Sequence, residues 1–460
     1  MKMEASRVKV IDQSQVAPPP GSVSTTTVPL TFFDILWLSC NTMQRIFFYE
    51  LPYPALHYTQ TVLPRLKESL SLTLRHFFPF AAKLMCPPPP HQPYIVYNEG
   101  DAVQVTVAES DADLLNHFVG NHARDVKTLK SFFPELSFVS LASNDTQVAP
   151  NMAIQFTVFP NSGISIGVTF NHVAADGRSV QHFMKSWAAI HRSQREDLTS
   201  FSLPYCKRDV IKDTQGLSSV LLKDLRNINT EDHLLRDFGG DVLADNVLTT
   251  FTMKRAKIEQ MKRWITTHSE NDDELGQVHM STYVVTCAFT WVNIMKLREK
   301  IRGSSDNDDM LYSLLFGADC RERFELSIPG TYFGNCLTHV CVSVKRRELM
   351  GEAGIGIAAR AIGRKISELG KGALRGAEKW ASNFTEVFKH QRVVTVAGSP
   401  KFRVYETDFG WGRPKKSDMV HIPPYSGFSL AENIEDDGGI DIGMVIGLDK
   451  LHLLNALFEQ

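Results

Sequence analysis

Between Met152 and Arg192 the side-chain period changes once, and that change constrains the fold more than any other stretch of the chain. Ile154, Phe156 and Val158 alternate in one run, and Ile164, Ile166, Val168 and Phe170 alternate in the next, after the turn Asn161-Ser162-Gly163. Two runs of period two around such a turn predict an antiparallel hairpin over Met152 to Phe159 and Gly163 to Asn171. From Arg178 to Arg192 the apolar positions become Val180, Phe183, Met184, Trp187 and Ile190, the stripe of an amphipathic helix. The junction reads Asn171-His172-Val173-Ala174-Ala175-Asp176-Gly177. An imidazole between a strand end and a helix start is placed to point into a cleft. Histidine is also neutral near pH 7 without special tuning, as a general base must be. The alternative is a histidine that only fills a strand end. Asp176 is open to two roles, bonding the other ring nitrogen or clamping the loop. The same spacing recurs at His233–Asp237 and His268–Asp272, both in highly charged stretches. About one such spacing is expected by chance at average composition, so those two are read as chance.

At 460 residues the chain exceeds one ordinary core, and two domains are expected. Leu63, Leu66, Leu70, Leu74 and Phe77 mark a helix, and Pro87 to Pro90 end that unit as a loop. Tyr94 to Tyr97 and Ala102 to Ala108 read as strands around a turn at Asn98-Glu99-Gly100-Asp101. From about Ser200 to Asn246 the periodicity weakens. The second half then runs strand Val247 to Met253, helix Ala256 to Thr267, polar loop Ser269 to Gln277, long helix Ser281 to Arg302, strand Met310 to Ala318, strand Val340 to Val344 and helix Ala353 to Leu369. This order fits an α/β chain of two similar-sized domains, each a mixed β-sheet with helices. The N-terminal domain, 1–200, carries the histidine motif, 201–246 is a long crossover, and 247–460 is the C-terminal domain. Part of 390–430 is left open to packing with the N-terminal domain.

Composition narrows function mainly by exclusion. With 43% hydrophobic and 22% charged residues the chain reads as soluble and globular. A net charge of −2 offers no global attraction to nucleic acid or anionic membrane, and neither is expected as a partner. The 7 cysteines, Cys40, Cys86, Cys206, Cys287, Cys320, Cys336 and Cys341, have no framework spacing. That pattern favours reduced thiols and a cytoplasmic location, with no metal site expected. Met1 to Thr27 lacks the apolar stretch of a signal peptide. Gly354 to Ala359 partly matches a dinucleotide fingerprint but has no preceding strand, and neither a nucleophile elbow nor a P-loop occurs.

Two further motifs follow. Asp408-Phe409-Gly410-Trp411-Gly412 interleaves glycines with aromatic rings, as a tight turn packed under those rings would require. Thr331-Tyr332-Phe333-Gly334-Asn335-Cys336 comes after Asp319-Cys320-Arg321 and, as bare sequence, is a loop entering a strand. The three motifs, in this order and at these separations, resemble the plant BAHD acyl-CoA-dependent acyltransferases. The resemblance spans essentially the whole chain, from Pro29-Leu30-Thr31-Phe32-Phe33-Asp34 to Gly398-Ser399-Pro400-Lys401-Phe402 ahead of the last motif. The Tyr-Phe-Gly-Asn-Cys form and the Arg45 to Tyr49 region are similar to the branch that acylates anthocyanin and other flavonoid or phenolic glucosides, often with malonyl-CoA.

The resemblance implies a chloramphenicol acetyltransferase-like fold with a channel between the domains and a monomeric enzyme. It implies that His172 is the general base, deprotonating a sugar hydroxyl that attacks the acyl-CoA thioester. It turns Asp176 away from the pocket onto Arg321, and makes Asp408, Gly410, Trp411 and Gly412 structural. Ser281 and Thr282 fall where the family approaches CoA, and a helix start is a reasonable phosphate site. Lys254 and Lys262 are candidate cationic contacts there. For a malonyl carboxylate, Arg45 and Arg178 are the candidate cations, since a guanidinium grips a carboxylate with two bonds. Either could equally sit in a structural ion pair. The residues do not identify an oxyanion donor, and Ser399 is named only from its place in the family stretch. No resident cofactor is implied, malonyl-CoA being a co-substrate, and an aromatic donor such as coumaroyl-CoA is the alternative.

Overall fold

The structure is a computed structural model that describes residues 8–136, 139–141, 145–193, 202–227, 245–267, 280–303, 307–323, 326–389 and 392–459. His233, Asp237, His268, Asp272 and the loop Ser269 to Gln277 lie outside the described residues.

Two mixed sheets organise a two-domain α/β architecture. The first runs in the order Val8–Val16, Val103–Ser110, Met152–Phe159, Gly163–Phe170, Met43–Glu50, Lys416–Met419. The second runs Leu337–Lys345, Leu311–Asp319, Val393–Gly398, Gly427–Glu432, Ile440–Gly447, Asn246–Met253, Arg124–Asp125. A smaller sheet, with Tyr94–Tyr97 and Lys83–Cys86 among its strands, flanks the first. The turn at Asn98 to Asp101 therefore joins strands of two different sheets.

The hairpin is a continuous antiparallel ladder from Met152↔Phe170 to Phe159↔Gly163. Both of its strands are buried along their whole length. The polar half of the alternation thus faces protein rather than water. Gln155 Nε2 donates to the Ser131 carbonyl at 2.9 Å, and Thr169 Oγ1 to the Pro134 carbonyl at 2.8 Å, because a buried polar group without a partner would be costly. The apolar half packs under helices Leu63–Leu74 and Gly177–Ser193. Trp187 fills that interface and donates its indole N–H to Ser69 Oγ at 3.0 Å.

Sheet membership departs from a contiguous division at 1–200 and 247–460. Lys416–Met419 pairs with Met43–Glu50 in the first sheet, and Arg124–Asp125 pairs with Asn246–Met253 in the second. The two exchanged strands are bonded to each other. The buried Arg124 grips Asp418 through two bonds of 2.6 and 3.1 Å, the bidentate geometry that makes such pairs strong. The crossover also holds more structure than its weak periodicity implies. Leu217–Asn227 is a helix that buries Leu217, Leu221 and Leu222 against Phe32, Phe33 and Trp380. Three leucines on one short face are too few to stand out from a polar background.

Candidate active site

His172 is the second residue beyond the strand Gly163–Phe170, where the sheet ends and the helix Gly177–Ser193 has not begun. Gly177, the first residue of that helix, lets Phe402 pack close against the helix start. A Cβ there would lie 2.7 Å from the Phe402 ring. The imidazole is half-buried and stacks on Trp37, with ring centroids 3.5 Å apart and planes 13° from parallel. Burial pushes the His172 pKa down to about 4, although Asp176, Asn335 and Asp34 all act to raise it. The ring is therefore neutral at physiological pH.

Asn335 holds that ring. Its Nδ2 donates to Asp34 Oδ1 at 3.0 Å, to the His172 carbonyl at 2.8 Å and to the Val173 carbonyl at 3.1 Å. With the amide nitrogen so committed, the amide oxygen faces His172, whose Nδ1–H donates to it at 3.1 Å. This assigns the tautomer: Nδ1 carries the hydrogen, and Nε2 carries the lone pair that can take a proton. Asp34 anchors the amide from behind. It is fully buried, accepts the Thr31 N–H and hydroxyl at 2.8 Å each, and lies 3.8 Å from the Arg208 guanidinium. Sequence reasoning passed over Asn335 and Asp34 as site residues, although both sit in stretches it singled out. The available signal was an amide one residue after a glycine at a strand entry, beside a carboxylate early in the chain.

Asp176 does not bond the imidazole. It faces Arg321 across a fully buried ion pair of 2.8 Å and accepts N–H bonds from Ser179 at 3.0 Å and Cys336 at 3.1 Å. Burial alone would raise its carboxyl, but Arg321 and those N–H groups hold it below the ordinary carboxylate range. Arg321 also donates to the Tyr332 and Gly334 carbonyls at 2.9 Å each and to Asp319 at 3.0 Å. This network ties the loop after His172 to the strand entry that carries Asn335.

The remaining candidates spread over three places. Arg178 is already paired, 2.7 Å from Asp319 and 3.5 Å from Glu322. Arg45 is buried on Met43–Glu50, opposite Val168 in the strand leading to His172, and donates to Ser417 Oγ at 3.3 Å. Ser281 caps the helix Thr282–Arg302, its Oγ accepting the Val284 N–H at 3.2 Å. Lys262 reaches that helix start, 3.2 Å from Thr282 Oγ1, while also pairing with Glu259 at 2.8 Å. Lys254 is exposed beside the start of the helix Arg255–Thr267. Ser399 accepts the Lys401 N–H at 3.3 Å and so caps a local turn.

The last aromatic motif packs on the other side of the helix that follows His172. Asp408 Oδ1 accepts the Gly410 N–H at 2.7 Å and the Gly412 N–H at 2.9 Å. Both glycines are left-handed, with φ 94° and 87°. Phe409 and Trp411 stack against each other and meet Tyr49 edge-on. Trp187 and His191 close the cluster.

Comparison with known proteins gives consistent results. A family model described as the Transferase family matches residues 6–459. Phenolic glucoside malonyltransferase 1 of Nicotiana tabacum is 36% identical, covering 92% of this chain and 91% of that protein. Coumaroyl-CoA:anthocyanidin 3-O-glucoside-6''-O-coumaroyltransferase 1 of Arabidopsis thaliana is 34% identical, covering 98% and 97%. The crystal structure of vinorine synthase superposes with a TM-score of 0.67 at 18% identity, covering 99% of this chain and 100% of that one.

Proposed function

This chain belongs to the Transferase family of BAHD acyl-CoA-dependent acyltransferases, and from that premise we propose that it moves malonyl from malonyl-CoA to a sugar hydroxyl of a phenolic or flavonoid glucoside. The observation that carries the reading is the neutral His172, with Nδ1–H committed to Asn335 and Nε2 left to act. Nε2 removes the proton of the sugar hydroxyl as its oxygen attacks the thioester carbonyl. The new C–O bond gives a tetrahedral intermediate. Its collapse breaks the C–S bond, and the leaving CoA sulfur takes the proton back from His172. No acyl-enzyme forms. The transient imidazolium is stabilised by the Asn335 oxygen, which accepts a stronger bond from the charged ring. Ser281, Thr282 and Lys262 are proposed to receive CoA phosphate. Arg45 is the better-supported candidate for the malonyl carboxylate, because it lies on the strand beside the one that leads to His172. A cytoplasmic location is proposed alongside, on the seven free thiols, and a monomer on the family resemblance.

A second reading, hydroxycinnamoyl transfer from coumaroyl-CoA to the same acceptor class, is favoured by the pairing of Arg178 with Asp319 and Glu322. The test is a donor-by-acceptor matrix on purified protein, with malonyl-CoA and coumaroyl-CoA against several glucosides. It is run in wild type, His172→Ala, Arg45→Ala and Arg178→Ala. His172→Ala should abolish transfer while CoA binding stays measurable. Unchanged turnover in that variant would sink the mechanism, and malonyl use that survives both arginine changes would remove the carboxylate assignment.

A further inference from the structure

A second histidine stands at the same end of the first sheet as His172. Gly163–Phe170 and Lys416–Met419 both pair antiparallel with Met43–Glu50, one on each side of it. They therefore run parallel to each other and end beside the start of that middle strand. His172 lies two residues beyond Phe170, and His421 two residues beyond Met419. Two strand spacings put the ends of those strands about 10 Å apart, so side chains leaving them can address one small group from two sides. Both rings are half-buried. Burial pushes His421 down to about 4 against its bond to Gln44, and the nearby His172, Arg45 and Lys130 add to the effect. His421 is therefore neutral at physiological pH, like His172.

The two rings are set in opposite tautomers. The Gln44 carbonyl accepts the Val420 N–H at 3.2 Å, and the Gln44 N–H, on the same side of its strand, donates to His421 Nδ1 at 3.0 Å. The imidazole thus takes the place of the next acceptor in that ladder. The Gln44 carbonyl is also 3.2 Å from Nδ1, but a hydrogen on Nδ1 would face the Gln44 N–H and leave it without an acceptor. Nε2 of His421 therefore carries the hydrogen. It has no partner among the described residues and is open to solvent, as is Nε2 of His172. A lone pair on one side and a fixed N–H on the other are the two groups that acyl transfer needs. The first takes the proton of the attacking hydroxyl, and the second meets the charge that collects on the carbonyl oxygen. We propose that His421 is a second catalytic residue, its Nε2–H donating to the thioester carbonyl oxygen as that oxygen becomes the oxyanion of the tetrahedral intermediate. When the intermediate collapses, the C=O bond re-forms, the C–S bond breaks and His421 keeps its hydrogen. The inference rests on the acyl-transfer reading and supplies the oxyanion donor that this reading lacks.

The experiment measures kcat and KM on the full chain with a phenolic glucoside and whichever of malonyl-CoA and coumaroyl-CoA it turns over. His421→Asn keeps an acceptor near the Nδ1 position and removes the Nε2 donor, whereas His421→Gln puts an amide N–H near the Nε2 position. The Asn variant should lose about a hundredfold in kcat, with both KM values within about threefold of wild type. The Gln variant should hold kcat to within about tenfold of wild type. A ring that only ties the chain to Gln44 predicts the reverse order, because Asn alone keeps that bond. A folded Asn variant with kcat within about threefold of wild type overturns the proposal, and so does a folded Gln variant as slow as the Asn one. If melting curves show the Asn variant unfolded, the Gln variant decides by the same tenfold limit. Wild type that transfers neither acyl group overturns the acyl-transfer reading and the donor role together, whereas an active wild type with either variant result above overturns the donor role alone.

Discussion

Replacing Asn335 with alanine should slow the chemical step without loosening the donor. In the resting enzyme the His172 Nδ1–H to Asn335 bond, 3.1 Å long, joins two neutral groups, a type worth about 0.5–1.5 kcal/mol net. During proton transfer the ring becomes an imidazolium, and the same bond becomes charge-assisted, worth about 1.5–3 kcal/mol. Only the difference, about 1–1.5 kcal/mol, lowers the barrier, and it corresponds to a rate factor of about five to tenfold. Freeing Nδ1 also lets the ring adopt the tautomer with hydrogen on Nε2, which cannot act as the base and deepens the loss. The assay is single-turnover transfer at saturating acyl-CoA, preceded by a melting curve. That control matters because the variant removes the donor that serves Asp34 and two carbonyls. A folded Asn335→Ala enzyme with a single-turnover rate within twofold of wild type would refute the assignment of this amide as the group that positions the base.

The other predictions separate fold from chemistry. Asp176→Ala removes the fully buried partner of Arg321 and leaves that charge only the part-exposed Asp319, so stability measured by urea unfolding should fall by about 3 kcal/mol; a loss under about 1 kcal/mol would contradict the assignment of Asp176 as the clamp of this loop. Trp37→Ala uncovers the imidazole and should return its pKa from about 4 toward the ordinary histidine value of about 6.5. The kcat/KM profile, flat from pH 5 to 7 in wild type on this argument, should then acquire an acidic limb near pH 6; a profile identical to wild type would remove the stack as the cause of the shift. Burial lowers His172 and His421 to about 4 and His339 to about 3. Their folded pKa values lie below the unfolded value, so unfolding takes up protons below pH 6.5. Stability should hold above that pH and decline between about 6.5 and 4, by up to about 1.4 kcal/mol per pH unit for each histidine; a urea midpoint that stays constant from pH 6.5 to 5 would contradict the shifts.

Local patterning carried far into this protein. The hairpin Met152–Phe159 and Gly163–Phe170, the helix after it and the long helix Thr282–Arg302 were all legible, because period two and period three and a half are imposed by backbone geometry on each segment alone. The junction that carries His172 was legible as well, while its role as a base came from the resemblance of three separated motifs and not from the junction alone. What the chain by itself left open was pairing across distance. The residues alone left Asp176 open between ring and loop, and only the family resemblance named Arg321, 145 residues away, as its partner; the tautomer of His172 depended on Asn335, 163 residues away. Lys416–Met419 falls in the 390–430 stretch left open to N-terminal packing, but its pairing with Met43–Glu50 and the exchange of Arg124–Asp125 were not legible, because nothing in a four-residue or two-residue strand names its neighbour. Periodicity records which face of an element is buried. Which element covers it, and which polar group meets which, follows only when the whole chain has closed and each buried donor has found its acceptor.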